Sequence, residues 1–212
     1  MNIRNHISFI LFICFICFSA FQYSCAQTKT NYEQTLSGKV IHITDGDTYI
    51  ILLDQNEQKA IRMEGIDAPE KGQDFSRKAS DYLKSLILGK IVTIKFTETD
   101  QYGRFIALTY LENGTEISHE MIKNGWAWHF KKYNQDKDLS DLESEAKKKG
   151  LGLWADQYAI EPWIERKMRK KGYKSTEIKQ LKINGILTDE QSIQYIPYKE
   201  KQSSPENNSS SK

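Results

Sequence analysis

Between Leu36 and Leu111 the sequence switches between two side-chain periods in an order that few folds accommodate. Ser37–Thr44 alternates around Val40 and Ile41, and Thr48–Leu53 is rich in β-branched and aliphatic residues. Asp45-Gly46 between them is a hairpin signal. After a polar turn at 54–58, Lys59–Ile66 puts Ile61 and Met63 on one face and Arg62 and Glu64 on the other. The period then changes. Phe75, Ala79, Tyr82, Leu83 and Leu86 form one helical stripe within Phe75–Leu88, stopped by Gly89. Alternation returns at Ile91–Thr97 and, past a turn at 100–103, at Arg104–Leu111. Two more helices follow: Ile117–Asn124, and one opened by the capping pattern Ser140-x-x-Glu143 that ends near Gly150. Five strands with a helix after the third predict a β-barrel with helices (α+β), a five-stranded Greek-key barrel of the OB type carrying three helices and a C-terminal extension.

The first 26 residues differ from everything after them. They hold 18 apolar side chains, all three cysteines (Cys14, Cys17 and Cys25) and a single charge, Arg4. That pattern reads as a secretory signal, with small residues at Ser24 and Ala26 for a cut before Gln27. The rival reading keeps Cys25 as a lipid-modified first residue, so the product is exported and either secreted or anchored at the cell envelope. No cysteine lies beyond residue 25, which rules out a disulfide scaffold. No later apolar run approaches the roughly 20 residues of a membrane span. With 30 Lys and Arg against 28 Asp and Glu, a formal charge of +2, the chain is no polyanion coat. Residues 27–35 read as a flexible linker, 36–156 as the barrel domain, 157–198 as an extension with one or two weak helices, and 199–212 as a polar tail. A monomer without an obligate protein partner is expected.

Chemistry concentrates at the turns. Asp45-Gly46-Asp47-Thr48 occupies the first hairpin, Arg62 the third strand, and Asp67-Ala68-Pro69-Glu70 that strand's exit. Asp100-Gln101-Tyr102-Gly103-Arg104 forms the last hairpin. Each alone is an ordinary turn. Together they bring five carboxylates and two guanidinium groups to places where a barrel exposes side chains.

In these three segments the sequence resembles the staphylococcal nuclease (thermonuclease) family, marked by Asp-Gly-Asp-Thr, Arg-x4-Asp-x-Pro-Glu and Tyr-Gly-Arg in that order. The resemblance runs over residues 36–156, through Gly150-Leu-Gly-Leu-Trp154. It implies a calcium-dependent nuclease hydrolysing phosphodiester bonds of DNA and RNA with little sequence preference. It implies further that Asp47 and Asp67 bind the Ca2+ ion, that Glu70 is the general base, and that Arg62 and Arg104 hold the scissile phosphate. Elementary chemistry agrees with those residue types. A hard cation takes oxygen ligands, guanidinium groups grip phosphate bidentately, and a carboxylate can take a proton from water. Asp45 is either a carboxylate supporting the metal ligands or a plain turn residue. The rival class is a catalytically inactive OB-fold nucleic-acid-binding protein of the envelope, and such relatives lose several of the five polar positions kept here.

Some positions depart from the family enzyme that defines the mechanism. Ala68 replaces a threonine whose backbone carbonyl contacts the metal, Lys71–Asp74 is a much shorter connection, and Gln101 replaces a lysine beside the substrate. Trp126, Trp128, Phe130 and Tyr133 are candidates for either packing or base stacking, with Tyr102 and Tyr133 the stronger substrate contacts. His42, His119 and His129 read as surface or packing residues. The basic stretch from Arg166 to Lys174 reads as a solvated helix face or as a track for phosphate.

Overall fold

The computed structural model describes Tyr32 and residues 34–199. The leader with Cys25, and the tail beyond 199, lie outside the described residues. Strands β1 (Gln34–Ile43), β2 (Thr48–Leu52), β3 (Gln58–Met63), β5 (Ile91–Thr99) and β6 (Phe105–Leu111) close a barrel in the order β1-β2-β3-β6-β5. All neighbours are antiparallel except β3 and β6. Helix α1 (Ser76–Ile87) lies between β3 and β5 in the chain, with α2 (Ile117–Lys123) and α3 (Lys137–Lys149) after β6. This is the expected five-stranded OB-type barrel. The alternation is visible in its burial: Val92, Ile94 and Phe96 face the core with Val40, Tyr49, Ile51, Ile61 and Met63, while Ala79, Leu83 and Ile87 of α1 pack against them.

Three local expectations need correcting. The third strand stops at Met63, because Gly65 takes a left-handed φ of 78°. Ile66–Asp67 (β4) then leaves the barrel to pair with Trp128–His129 (β7). Gln34 and Thr35, read as linker, join β1 because β5 offers them Phe96 and Lys95 as partners. The third helix opens at Lys137 with Asp136 as its cap, its carboxylate accepting from the Asp138 and Leu139 N–H groups. Glu143, read as part of a capping box, is instead 3% exposed and accepts from the His129 N–H, with Lys131 and Lys147 beside it. Burial pushes its carboxyl up, but those partners outweigh burial and hold it below its ordinary range. The first hairpin forms as expected, with Gly46 outside the left-handed region, for a reason given below.

Beyond the barrel, α4 (Pro162–Lys170) and α5 (Ser175–Ile183) gather a second apolar cluster. Ile160, Ile164, Met168, Ile178, Leu187, Ile193 and Ile196 form it. Pro162 at the first turn of α4 suits a position with no intrahelical N–H bond to lose. Among the described residues no helix is long and apolar enough to cross a membrane.

Candidate active site

The site is assembled where β2, β3 and the departing β4 meet. Asp47 sits just before β2, and its backbone carbonyl accepts the Met63 N–H at 2.8 Å. Arg62 is in register with Thr48. Gly46 makes this join possible. A Cβ there would lie 2.7 Å from the Ala68 methyl and 2.9 Å from that of Ala79, so the glycine is required by close approach rather than by backbone conformation. Gly46→Ala is therefore expected to cost about 1–3 kcal/mol by overpacking and to shift Asp47, measurable as a lower denaturation midpoint.

Asp47 and Asp67 are 6% and 1% exposed, and Arg62 joins them. Its Nε lies 3.3 Å from Asp47 Oδ1 and its Nη2 3.0 Å from Asp67 Oδ1, while Nη1 donates to the carbonyls of Met63 and Ile66. Of five N–H donors, that leaves one on Nη2. Asp47 also accepts the Ala68 N–H at 2.6 Å and the Thr48 hydroxyl at 3.0 Å. Burial pushes the Asp67 carboxyl above its usual range despite Arg166 and Arg62, with Asp47 adding to the rise. Asp45 accepts the Asp47 N–H at 3.0 Å, and burial with the neighbouring Asp47 charge pushes it up to about 7. The Asp47 N–H bond is the Asx-turn contact of a turn residue, and it sets the Asp45 carboxyl beside Asp47.

Arg104 stands at the rim. Its Nε and Nη2 meet Asp100 Oδ2 at 2.8 and 2.7 Å, and Nη1 reaches the Thr48 hydroxyl at 3.4 Å. Asp100 organises this whole turn, accepting the N–H groups of Tyr102 and Arg104 on its other oxygen. Tyr102 is exposed, with the Arg104 guanidinium 5.6 Å from its ring centre. Tyr133 is exposed on a different segment, edge-on to Phe130. Trp128 is buried edge-on to Trp154, and Trp126 leans on Tyr82, so both tryptophans are packing residues. His129 is buried, with Ser140 and Asn134 on its two ring nitrogens.

Two residues escaped the sequence reading. Gln73 is buried and accepts the Glu70 N–H at 2.9 Å while donating to the Ile160 carbonyl at 2.5 Å. It ties the segment bearing Glu70 to the extension. Arg166, from α4, clasps Asp67 with Nη1 at 3.1 Å and Nη2 at 2.7 Å, and its Nη1 meets Glu70 Oε1 at 2.5 Å. A basic run was visible in the sequence, but nothing in it marked one arginine as turned toward carboxylates almost a hundred positions earlier.

Among the described residues no three His, Cys, Asp or Glu side chains gather as a metal cluster. The donor set nevertheless fits a hard cation in kind: two buried carboxylates, with the oxygen atoms of Asp45 beside Asp47. Arg166 donates to both Asp67 oxygens, so a cation drawing on Asp67 shares that carboxylate with it or replaces it.

A five-stranded OB-type barrel with two buried carboxylates bridged by an arginine at the β2–β3 end defines the structural class. The comparisons narrow that class. The sequence model for staphylococcal nuclease homologues matches residues 60–156. An uncharacterized endonuclease of Escherichia coli O157:H7 is 40% identical over 131 residues, covering 62% of this chain and 85% of its own. A micrococcal nuclease of Shigella flexneri is 34% identical over 143 residues, covering 63% and 82%. A staphylococcal-like nuclease of Arabidopsis thaliana is 32% identical over 159 residues, covering 73% and 48%. The chain belongs to the staphylococcal nuclease family.

Proposed function

We propose that this chain is a calcium-dependent nuclease that hydrolyses phosphodiester bonds of DNA and RNA. The observation that carries the reading is the pair Asp47 and Asp67, buried and joined by Arg62, with Glu70 and Arg104 at the same end of the barrel. Asp47 and Asp67 would hold the ion, which when bound supplies Lewis-acid charge against a phosphate oxygen. The protein's own groups do the rest. Glu70 takes the proton of the attacking water as that oxygen bonds to phosphorus and the ester P–O bond breaks. The free N–H groups of Arg104, and the one left on Arg62, receive the charge that builds on the phosphate oxygens. Arginine suits this better than lysine because its planar fork meets two oxygens at once. Arg166 donates to Oε1 of Glu70 and to Asp67, which orients both carboxylates and leaves Glu70 Oε2 free to take the proton.

The reading includes export through the leader 1–26, with a mature chain that starts at Gln27 or is lipid-anchored at Cys25. The mass of the mature N-terminus separates these. The activity itself is tested by digesting single- and double-stranded DNA and RNA with calcium and then with a chelator. Hydrolysis with calcium, abolished by chelation and restored by calcium, is the expected result. Digestion that persists under chelation would sink the metal assignment, and none under any condition would leave a barrel that only binds.

A further inference from the structure

Helix α4 has two faces. Ile164, Glu165 and Met168 are buried toward the second apolar cluster or its polar edge, whereas Arg166, Lys167 and Lys170 lie on the other side, with Trp163 between, packed on that cluster and lining the cleft. That second face forms one wall of an open cleft of about 420 Å³, whose other wall is residues 128–133. The size lies within the roughly 300–1,000 Å³ typical of ligand pockets. The Phe130 and Trp163 rings span the two walls, stacked at 5.4 Å and 11° between planes. The cleft starts at the carboxylate site: Trp128, one of its lining residues, is in register with Asp67, and Arg166 touches Asp67 and Glu70 directly.

Its charge is one-sided once ion pairs are counted. The three lining carboxylates already have cations, Glu143 with Lys131 and Lys147, Glu161 with Lys182, and Glu190 with Lys167. Lys132 and Lys170 have no carboxylate partner among the described residues, and both are exposed. A cleft with unpaired cations, aromatic rings on its walls and the Asp67 and Glu70 carboxylates at one end matches a strand with alternating phosphates and flat bases.

We propose that this cleft is a subsite for single-stranded nucleic acid, holding the nucleotides next to the phosphodiester presented to Asp67 and Glu70. The proposal rests on the nuclease reading for the identity of the polymer, and it gives the extension a role: α4 lengthens the barrel's active site into a strand track. Lys132 and Lys170 neutralise phosphates, and Tyr133, exposed beside Phe130, offers a face to a base.

The test measures binding without cleavage. Full-length protein in chelator is titrated into a labelled single-stranded oligodeoxynucleotide by fluorescence anisotropy across a salt series. Lys132→Gln/Lys170→Gln is expected to weaken binding about tenfold relative to wild type and to reduce the slope of log K against log salt by about 1.4, two contacts at about 0.7 each on a single strand. Lys84→Gln/Lys90→Gln makes the same charge change at exposed positions outside the cleft and controls for net charge. If the two double variants bind alike, the subsite is refuted. If the cleft variant loses duplex affinity as steeply as single-strand affinity, the patch is a general cation surface and the proposal again fails. A chain that digests nothing with calcium yet loses single-strand binding in the cleft variant would overturn the nuclease reading and keep the subsite.

Discussion

Glu70→Gln is expected to lower kcat for phosphodiester hydrolysis by about 10²–10⁴-fold, the range for losing one positioned general base. Glutamine keeps the length and one carbonyl oxygen for Arg166, so the segment's position is preserved by the backbone bond from Glu70 N–H to Gln73. Stability should barely change, because Glu70 is part-exposed and its ion pair with Arg166 is of the kind worth about 0–1 kcal/mol. KM should move little for the same reason, since the phosphate is held elsewhere, by Arg104 and Arg62. Steady-state kinetics with calcium, beside a melting curve, separate the cases. A kcat near that of wild type would take the base role from Glu70 altogether.

The barrel was legible because its strands are half-buried, so that the core imposes alternation on Val92, Ile94 and Phe96 and on Ile61 and Met63. The motif residues could be placed from sequence because each lies in a turn, whose geometry short-range sequence decides: Asp47 beside Gly46, Glu70 after Pro69, Arg104 after Gly103. What failed was long-range. Met63-Glu-Gly-Ile66 reads as a continuing strand, and only the partner offered by Trp128–His129 shows why the chain turns aside and carries Asp67 with it. Gly46 looked like a turn glycine, but the constraint comes from Ala68 and Ala79, 22 and 33 positions away. Arg166 was the largest loss, since the basic run around it has the composition of a solvated face. Its neighbours in sequence do line a cleft, while Arg166 itself turns to Asp67 and Glu70.

Arg166→Ala should reveal how far the extension has become part of the site. In the absence of an ion, Asp67 is 1% exposed and loses a bidentate partner, keeping only Arg62 against the nearby Asp47 charge. Breaking a buried ion pair typically costs about 3–5 kcal/mol. The Arg166 side chain is itself 39% exposed, so the expected loss is discounted to about 2 kcal/mol. For a chain of this length that is a fall of about 4–8 °C in Tm. Calcium should then close the gap. In the variant the ion meets an unclasped Asp67, whereas in wild type it competes with a guanidinium group for that carboxylate. At a hundred times its Kd a ligand adds about 2.7 kcal/mol, so a tighter ion recovers more Tm at the same calcium concentration. Scanning calorimetry of both chains with chelator and with calcium reads this directly, without any turnover. If calcium raises both melting points equally, Arg166 and the ion do not compete for Asp67, and the clasp belongs to the fold of the extension rather than to the working of the site.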